Sequence, residues 1–270
     1  MLKKIKAKKS KKVKIGIVGK YFSTGDYKLR DAYAALFDAI DHASWENGVD
    51  IETVWIDAEK IEKKGTSVIG KVDGIIVPIG WGVRGAEGMI TAASYARRKK
   101  IPYLGLCYGM QLAVVSFARD VLGWKDANTQ ENDVKSQHQV IHLMPKQKEI
   151  MERRAYGGTM RLGAWDAGVN KNTRAFDIYK QYKGFKNGET GLVSERHRHR
   201  YEFNQEFEND FIKKGLIISS KSIVENLVEI VELPRSVHPF FLGIQGHPEY
   251  KSRPGRPHPL FLEFLKAAAK

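Results

Sequence analysis

The sequence predicts an α/β protein: a central, mainly parallel sheet with helices on both faces, and a smaller antiparallel sheet contributed by the second half. Three observations carry this. From Val13 to Gly123, short apolar runs that close on Gly or Pro alternate with segments of helical spacing. After Gly123, strand-like segments dominate and are joined by Gly- and Lys-containing turns. The chain of 270 residues is 42% hydrophobic, enough to bury one sizeable core.

Each element follows in order. Val13 to Gly19 (VKIGIVG) is an apolar run ending in Gly and predicts a buried parallel strand. Asp31 to Trp45 has helical spacing, and Asp50 to Asp57 (DIETVWID) alternates as a strand does. Gly74 to Pro78 predicts a second buried strand that runs into the loop Ile79-Gly80-Trp81-Gly82. Glu87 to Lys100 predicts a helix whose closing basic cluster suits a C-terminus. Pro102 to Leu106 predicts a third buried strand, and Tyr108 to Leu122 an amphipathic helix stopped by Gly123. In the second half, Thr159–Val169, Gly191–Asn204, Leu216–Ser220 and Asn226–Leu233 predict strands, with one short helix near Gln205–Lys213. Phe240–Gln245 predicts a last strand and Leu260–Ala269 a last helix.

Lys+Arg 45 against Asp+Glu 31 leaves a net charge of +14, which favours anionic partners. Part of the excess is a run of lysines at Lys3, Lys4, Lys6, Lys8, Lys9, Lys11, Lys12 and Lys14. Residues 1–12 read as a solvated basic tail or linker, and residues 13–270 as one domain. The chain lacks an RNP motif, zinc-finger spacing and a basic-zipper pattern, so nucleic acid is not an expected partner. It has no apolar run of membrane-spanning length and no signal-peptide pattern; with a single cysteine, this predicts a cytoplasmic protein.

That cysteine lies in Gly105-Leu106-Cys107-Tyr108-Gly109, between a predicted strand and a predicted helix. The arrangement is a nucleophile elbow with Cys in place of Ser. A sharp turn of this kind needs small residues two positions either side. Helix N-termini favour the thiolate form, and the N–H after the nucleophile can hold an oxyanion. A nucleophile needs a base and a group to orient it. His247-Pro248-Glu249 supplies both at the end of the last strand, where ligands of doubly wound sheets bind. His138, His142, His238 and His258 read as structural.

These residues resemble the class I glutamine amidotransferases: Gly105 to Gln111 (GLCYGMQ), then Gln245 to Glu249 (QGHPE) far downstream. Gly82 to Gly88 (GVRGAEG), Met160 to Gly163 (MRLG), Glu195 to Glu202 (ERHRHRYE) and Gly255 to Phe261 further resemble the CTP synthase family, over nearly all of Val13 to Lys270. The resemblance implies a flavodoxin-like three-layer fold and hydrolysis of L-glutamine to glutamate and ammonia. It implies Cys107 as nucleophile, His247 as base and Glu249 as its orienter. Gly80 and the Tyr108 N–H match the oxyanion hole, and Gln111, Glu131 and Arg200 the glutamine-gripping positions. Arg84, Gly85 and Glu87 match a lid that responds to GTP, an expected activator. No metal is expected here: the His residues of ERHRHRYE lack an accompanying Cys or close carboxylate pair. ATP, UTP and magnesium are expected only on the family's amidoligase domain, the expected partner. Gly16 to Tyr21 lacks the spacing and Ser/Thr of a P-loop, so that domain is not expected in this chain, which reads as an excised domain or one subunit of a split enzyme. A stand-alone amidase or γ-glutamyl hydrolase, or a non-catalytic regulatory relative, are the alternatives.

One departure stands out. The family usually reads Pro-Gly-Gly-Phe-Gly at the oxyanion loop, and here it reads Pro78-Ile79-Gly80-Trp81-Gly82. If position 79 requires positive φ, a β-branched residue there would cost about 1–3 kcal/mol.

Overall fold

The computed structural model describes residues 4–5, 9, 11–24, 27–28, 30–144, 160–188 and 190–270. Lys3, Lys6 and Lys8 of the basic run, and Thr159 at the expected start of a strand, lie outside the described residues. In chain order, the elements that frame the site are β1 (Lys12–Gly19), α1 (Ala34–Asn47), β2 (Asp50–Asp57), α2 (Ala58–Lys64), β3 (Gly74–Val77), α3 (Ala86–Lys99), β4 (Tyr103–Leu106) and α4 (Tyr108–Phe117). There follow β5 (Asn128–Thr129), β6 (Gln139–Leu143), β7 (Arg161–Val169), α5 (Arg174–Gln181), β8 (Leu192–His199), β9 (Tyr201–Phe203), α6 (Glu208–Lys213), β10 (Ile217–Ser222), β11 (Val228–Glu232), β12 (Phe241–Ile244) and α7 (Pro259–Ala268).

The main sheet has nine strands in the order β8-β7-β10-β11-β12-β4-β3-β1-β2. The half from β12 to β2 is parallel throughout, and β4 at its centre pairs with β3 and β12. These strands are apolar along their length because both faces are covered. Alternate residues enter opposite cores: Tyr103 packs with α2, α3 and α4, whereas Leu104 and Leu106 pack with α1, α5 and α7. The strands of the second half continue this sheet in antiparallel fashion, and a separate small sheet, β9-β6-β5, covers α4.

Several expectations change in detail. The helix after Cys107 is not amphipathic: all its residues from Tyr108 to Phe117 are buried, because the small sheet closes over its outer face. It continues as a π-helical turn over Ala118–Leu122 and ends at Gly123, with φ 81°. The single strand expected over Gly191–Asn204 is two strands in different sheets, β8 and β9, with Arg200 at the bend. The helices α2 and α5 and the strand β6 were not foreseen. Their start signals are local caps, Asp57 Oδ1 accepting from Glu59 N at 2.9 Å and Thr173 Oγ1 from Phe176 N at 3.2 Å. Lys12, placed in the tail by sequence, opens β1 opposite Asp50. Lys4 and Lys11 reach Glu46 and the Ala269 carbonyl, at 2.5 and 2.6 Å.

Four histidines read as structural do serve the frame. His258 caps α7 through Nδ1, which accepts from Leu260 N at 3.2 Å, and its Nε2 pairs with buried Glu195 at 2.9 Å. His238 bonds the Ala96 carbonyl at 3.1 Å, while His138 and His142 pair with Asp126 and Glu202 at 2.7 and 3.6 Å.

The glycines flanking Cys107 set how closely β3, β4 and α4 approach. A Cβ on Gly109 would stand 1.9 Å from the Val77 oxygen, and one on Gly105 2.7 Å from the Gly109 backbone. Gly109→Ala is expected to lower the unfolding free energy by about 3 kcal/mol, measured by urea denaturation, since only backbone movement relieves the clash.

Candidate active site

β4 delivers Cys107 at its carboxyl end, and β12 delivers His247 beside it, because the two strands are paired in parallel from Tyr103 opposite Phe241 to Leu106 opposite Ile244. Cys107 N donates to Ile244 O at 2.8 Å, which ties the turn to the neighbouring strand. The Cys107 backbone has φ 52° and ψ −103°, a conformation that costs about 1–3 kcal/mol and persists only where packing enforces it. The side chain is 3% exposed.

His247 is fully buried, and its Nδ1 bonds Glu249 Oε1 at 2.7 Å. Its Nε2 has no hydrogen-bond partner that meets ordinary geometry, and its electrostatic partner on that side is Cys107. Burial works against the charged imidazolium, but the Glu249 carboxylate and the Cys107 sulfur outweigh it and hold the His247 pKa well above the ordinary histidine value. Pro248 stiffens the two-residue separation that lets Glu249 reach back.

A small pocket opens on the sulfur, lined by Gly80, Trp81, Cys107, Tyr108, Gln111, Glu131, His199, Arg200 and Tyr201. It unites the expected oxyanion-hole and glutamine-gripping residues. Arg200 enters from the β8–β9 bend, and its Nε is buried without a partner. Glu131 accepts from Gly82 N at 3.0 Å. Burial raises the Glu131 pKa, and Lys20 and Arg200 partly oppose that. Gln111 is placed differently from a simple grip: its Nε2 donates to Tyr201 O at 2.8 Å and to Gln245 Oε1 at 3.0 Å. Arg84, Gly85 and Glu87 do not line the cavity. Arg84 bonds Glu59 at 2.5 Å and the Lys20 carbonyl at 2.8 Å, Gly85 begins α3 with φ 71°, and Glu87 pairs with Arg119 at 2.6 Å.

The alternation of ERHRHRYE sends Glu195, His197 and His199 inward and Arg196 and Arg198 outward. His197 Nδ1 and His199 Nε2 are 3.1 Å apart, and burial keeps both rings neutral by lowering their pKa, reinforced by Arg161. Arg161 pairs at 2.6 Å with Glu229, which burial raises to about 7. This buried layer lies directly under the segment that follows β12: His247 N donates to Arg196 O at 2.7 Å, and a Cβ on Gly246 would meet Glu195 Cβ at 2.9 Å.

Two side chains that sequence reasoning had not flagged also reach the site. Lys20, at the carboxyl end of β1, donates to the carbonyls of Trp81 and Gly82 and lies 4.8 Å from the Tyr108 ring centroid. Burial pushes its ammonium down to about 8, against the pull of Glu131. Gln245 Nε2 donates to Cys107 Sγ at 3.6 Å. Both sit at strand ends on the site's edge of the sheet, and Gln245 also opens the QGHPE stretch that carries the family resemblance.

The glutamine amidotransferase class-I family matches residues 28–267. Over 269 residues, 99% of the chain, the sequence is 45% identical to the CTP synthase of Clostridium acetobutylicum, and the match covers 46% of that protein. It is 48% identical over 256 residues to the CTP synthase of Caldanaerobacter subterraneus subsp. tengcongensis, covering 94% of this chain and 44% of the other. The chain thus spans about half the length of the curated relatives it matches. The solved structure of the Trypanosoma brucei CTPS glutaminase domain with bound acivicin matches with a TM-score of 0.81 at 36% identity, covering 95% of this chain and 94% of that one.

The departure at position 79 carries no backbone strain. Ile79 is not among the described non-glycine residues with positive φ. Its side chain is 8% exposed in the core shared with Ile17, Leu106 and Cys107. Ile79→Gly removes that packing, and we expect it to lower stability by about 3 kcal/mol in a denaturant titration.

Proposed function

This chain belongs to the class I glutamine amidotransferase family, on its CTP synthase branch, and we propose that it hydrolyses L-glutamine to glutamate and ammonia through Cys107, His247 and Glu249. The observation that carries the reading is the convergence of the three at the ends of β4 and β12. Nδ1 of His247 is engaged by Glu249 at 2.7 Å, which leaves Nε2 for the thiol.

In this mechanism His247 takes the thiol proton, and Sγ attacks the side-chain amide carbon of glutamine. The amide oxygen gains the negative charge, and the N–H groups of Gly80 and Tyr108 hold it. The imidazolium gives its proton to the nitrogen as the C–N bond breaks, releasing ammonia and leaving a thioester on Cys107. Water, deprotonated by the now neutral His247, then attacks the thioester; glutamate departs and the thiol is restored. Arg200, with its unpartnered Nε, takes the α-carboxylate of glutamine, and Glu131 the α-ammonium.

We further propose that the ammonia serves conversion of UTP to CTP in an amidoligase domain, to which ATP, UTP and magnesium belong. The CTP synthases it resembles, twice as long as the match, support this. GTP is proposed to activate through Arg84–Gly88, which directly follows the Trp81-Gly82 loop beside Cys107. A cytoplasmic setting is consistent with the single free cysteine and with the absence, among the described residues, of any helix long and apolar enough to cross a membrane.

Purified chain is expected to release glutamate from glutamine, faster with GTP, and Cys107→Ala to release none. Glutamate release that survives in Cys107→Ala would sink the mechanism. If Glu249 sustains the imidazolium, Glu249→Gln lowers the His247 pKa. The descending alkaline limb of the kcat/KM profile is then expected to move to lower pH, by about 1–3 units.

A further inference from the structure

Gln245 follows β12 and is 1% exposed. Its Nε2 faces the Cys107 sulfur at 3.6 Å, and its Oε1 accepts from Gln111 Nε2 at 3.0 Å. Gln111 Nε2 spends its other N–H on the Tyr201 carbonyl at 2.8 Å. These contacts settle which way both amides point. A backbone carbonyl can only accept, so Gln111 must turn its amino group toward Tyr201. That same amino group then requires an oxygen from Gln245, which leaves the Gln245 amino group for the sulfur. A flipped Gln245 would set two N–H donors against each other and offer the sulfur an oxygen, so that neither amide would be satisfied by its neighbours.

We infer that Gln245 is a catalytic residue, an N–H donor that stabilises the Cys107 thiolate and aims it into the cavity. The inference rests on the glutaminase reading and deepens it. The sulfur interacts electrostatically with the imidazole of His247 and faces the amide of Gln245, and a hydrogen bond to charged sulfur is the stronger kind. Gln245 moves no proton, so the donor persists through both halves of the reaction. The relay starts at Tyr201, the neighbour of Arg200, so the segment proposed to bind the glutamine carboxylate also orients the nucleophile.

Cys107 is the sole cysteine, so iodoacetamide alkylation reports on it alone. The pH midpoint of alkylation is expected to rise by about one unit in Gln245→Leu, which removes the donor. It is expected to rise further in Gln245→Glu, which keeps the shape and opposes the thiolate with a carboxylate. The other titratable groups around the sulfur are unaltered in both variants: His247 with Glu249 behind it, and Glu131, Arg200 and Lys20 across the cavity. The kcat for glutamate release is expected to fall by only about threefold to tenfold, because a less stabilised thiolate is a better nucleophile. Midpoints that coincide in wild type and both folded variants overturn the inference. If Gln245→Leu does not fold, the near-isosteric Gln245→Glu decides alone. Failure of the glutaminase reading is visible separately, as glutamate release that is absent or independent of Cys107.

Discussion

The turn at Cys107 depends on backbones that touch without side chains between them. Gly105 lies against Gly109, and Gly109 against the Val77 carbonyl, so α4 can start within one residue of the end of β4. That contact holds Cys107 at φ 52° and sets its sulfur at the start of a buried helix. The parallel pairing of β4 with β12 then fixes where His247 arrives, because Cys107 N bonds the Ile244 carbonyl. Cys107 and His247 both lie within three residues of a strand end, which suits the proposed chemistry because it tolerates little misplacement.

Around this turn the charges are arranged in layers. Glu249 backs His247, and beneath them His197 and His199 stay neutral while Arg161 neutralises Glu229. On the cavity side, Lys20 gathers the Trp81 and Gly82 carbonyls, and Glu131 bonds the Gly82 N–H. The loop that carries Gly80 is therefore held by a cation on its carbonyls and a carboxylate on its amide. Arg200 Nε and His247 Nε2 are among the buried atoms without a hydrogen-bond partner, as are atoms of Arg161, Glu195 and Glu249, and the proposed chemistry assigns the first two to substrate and nucleophile.

The substitution at Ile79 shows how a motif departure can be absorbed. The side chain turns into the core beneath the loop, while Gly80 keeps the position where a Cβ would strike Lys20 Cε and Tyr108 Cδ1, each at 2.9 Å. The second glycine is the one the local geometry requires, and the first is free to become a core residue.

Sequence alone determined the parallel half of the sheet, because strands buried on both faces must be apolar along their length, and it determined the elbow, because only glycines permit that approach. It also put Cys107, His247 and Glu249 forward as candidates, at strand ends where ligands of doubly wound sheets bind. It did not disclose that the outer face of α4 is covered, since the small sheet arrives from residues far along the chain. Nor did it disclose that ERHRHRYE crosses between two sheets at Arg200. The direction of the Gln111 and Gln245 amides, and the hold of Lys20 on the Trp81 and Gly82 carbonyls, came only from the tertiary structure. A side-chain amide or ammonium has no preferred partner until the fold brings one carbonyl, one carboxylate or one sulfur within reach and excludes water from the rest.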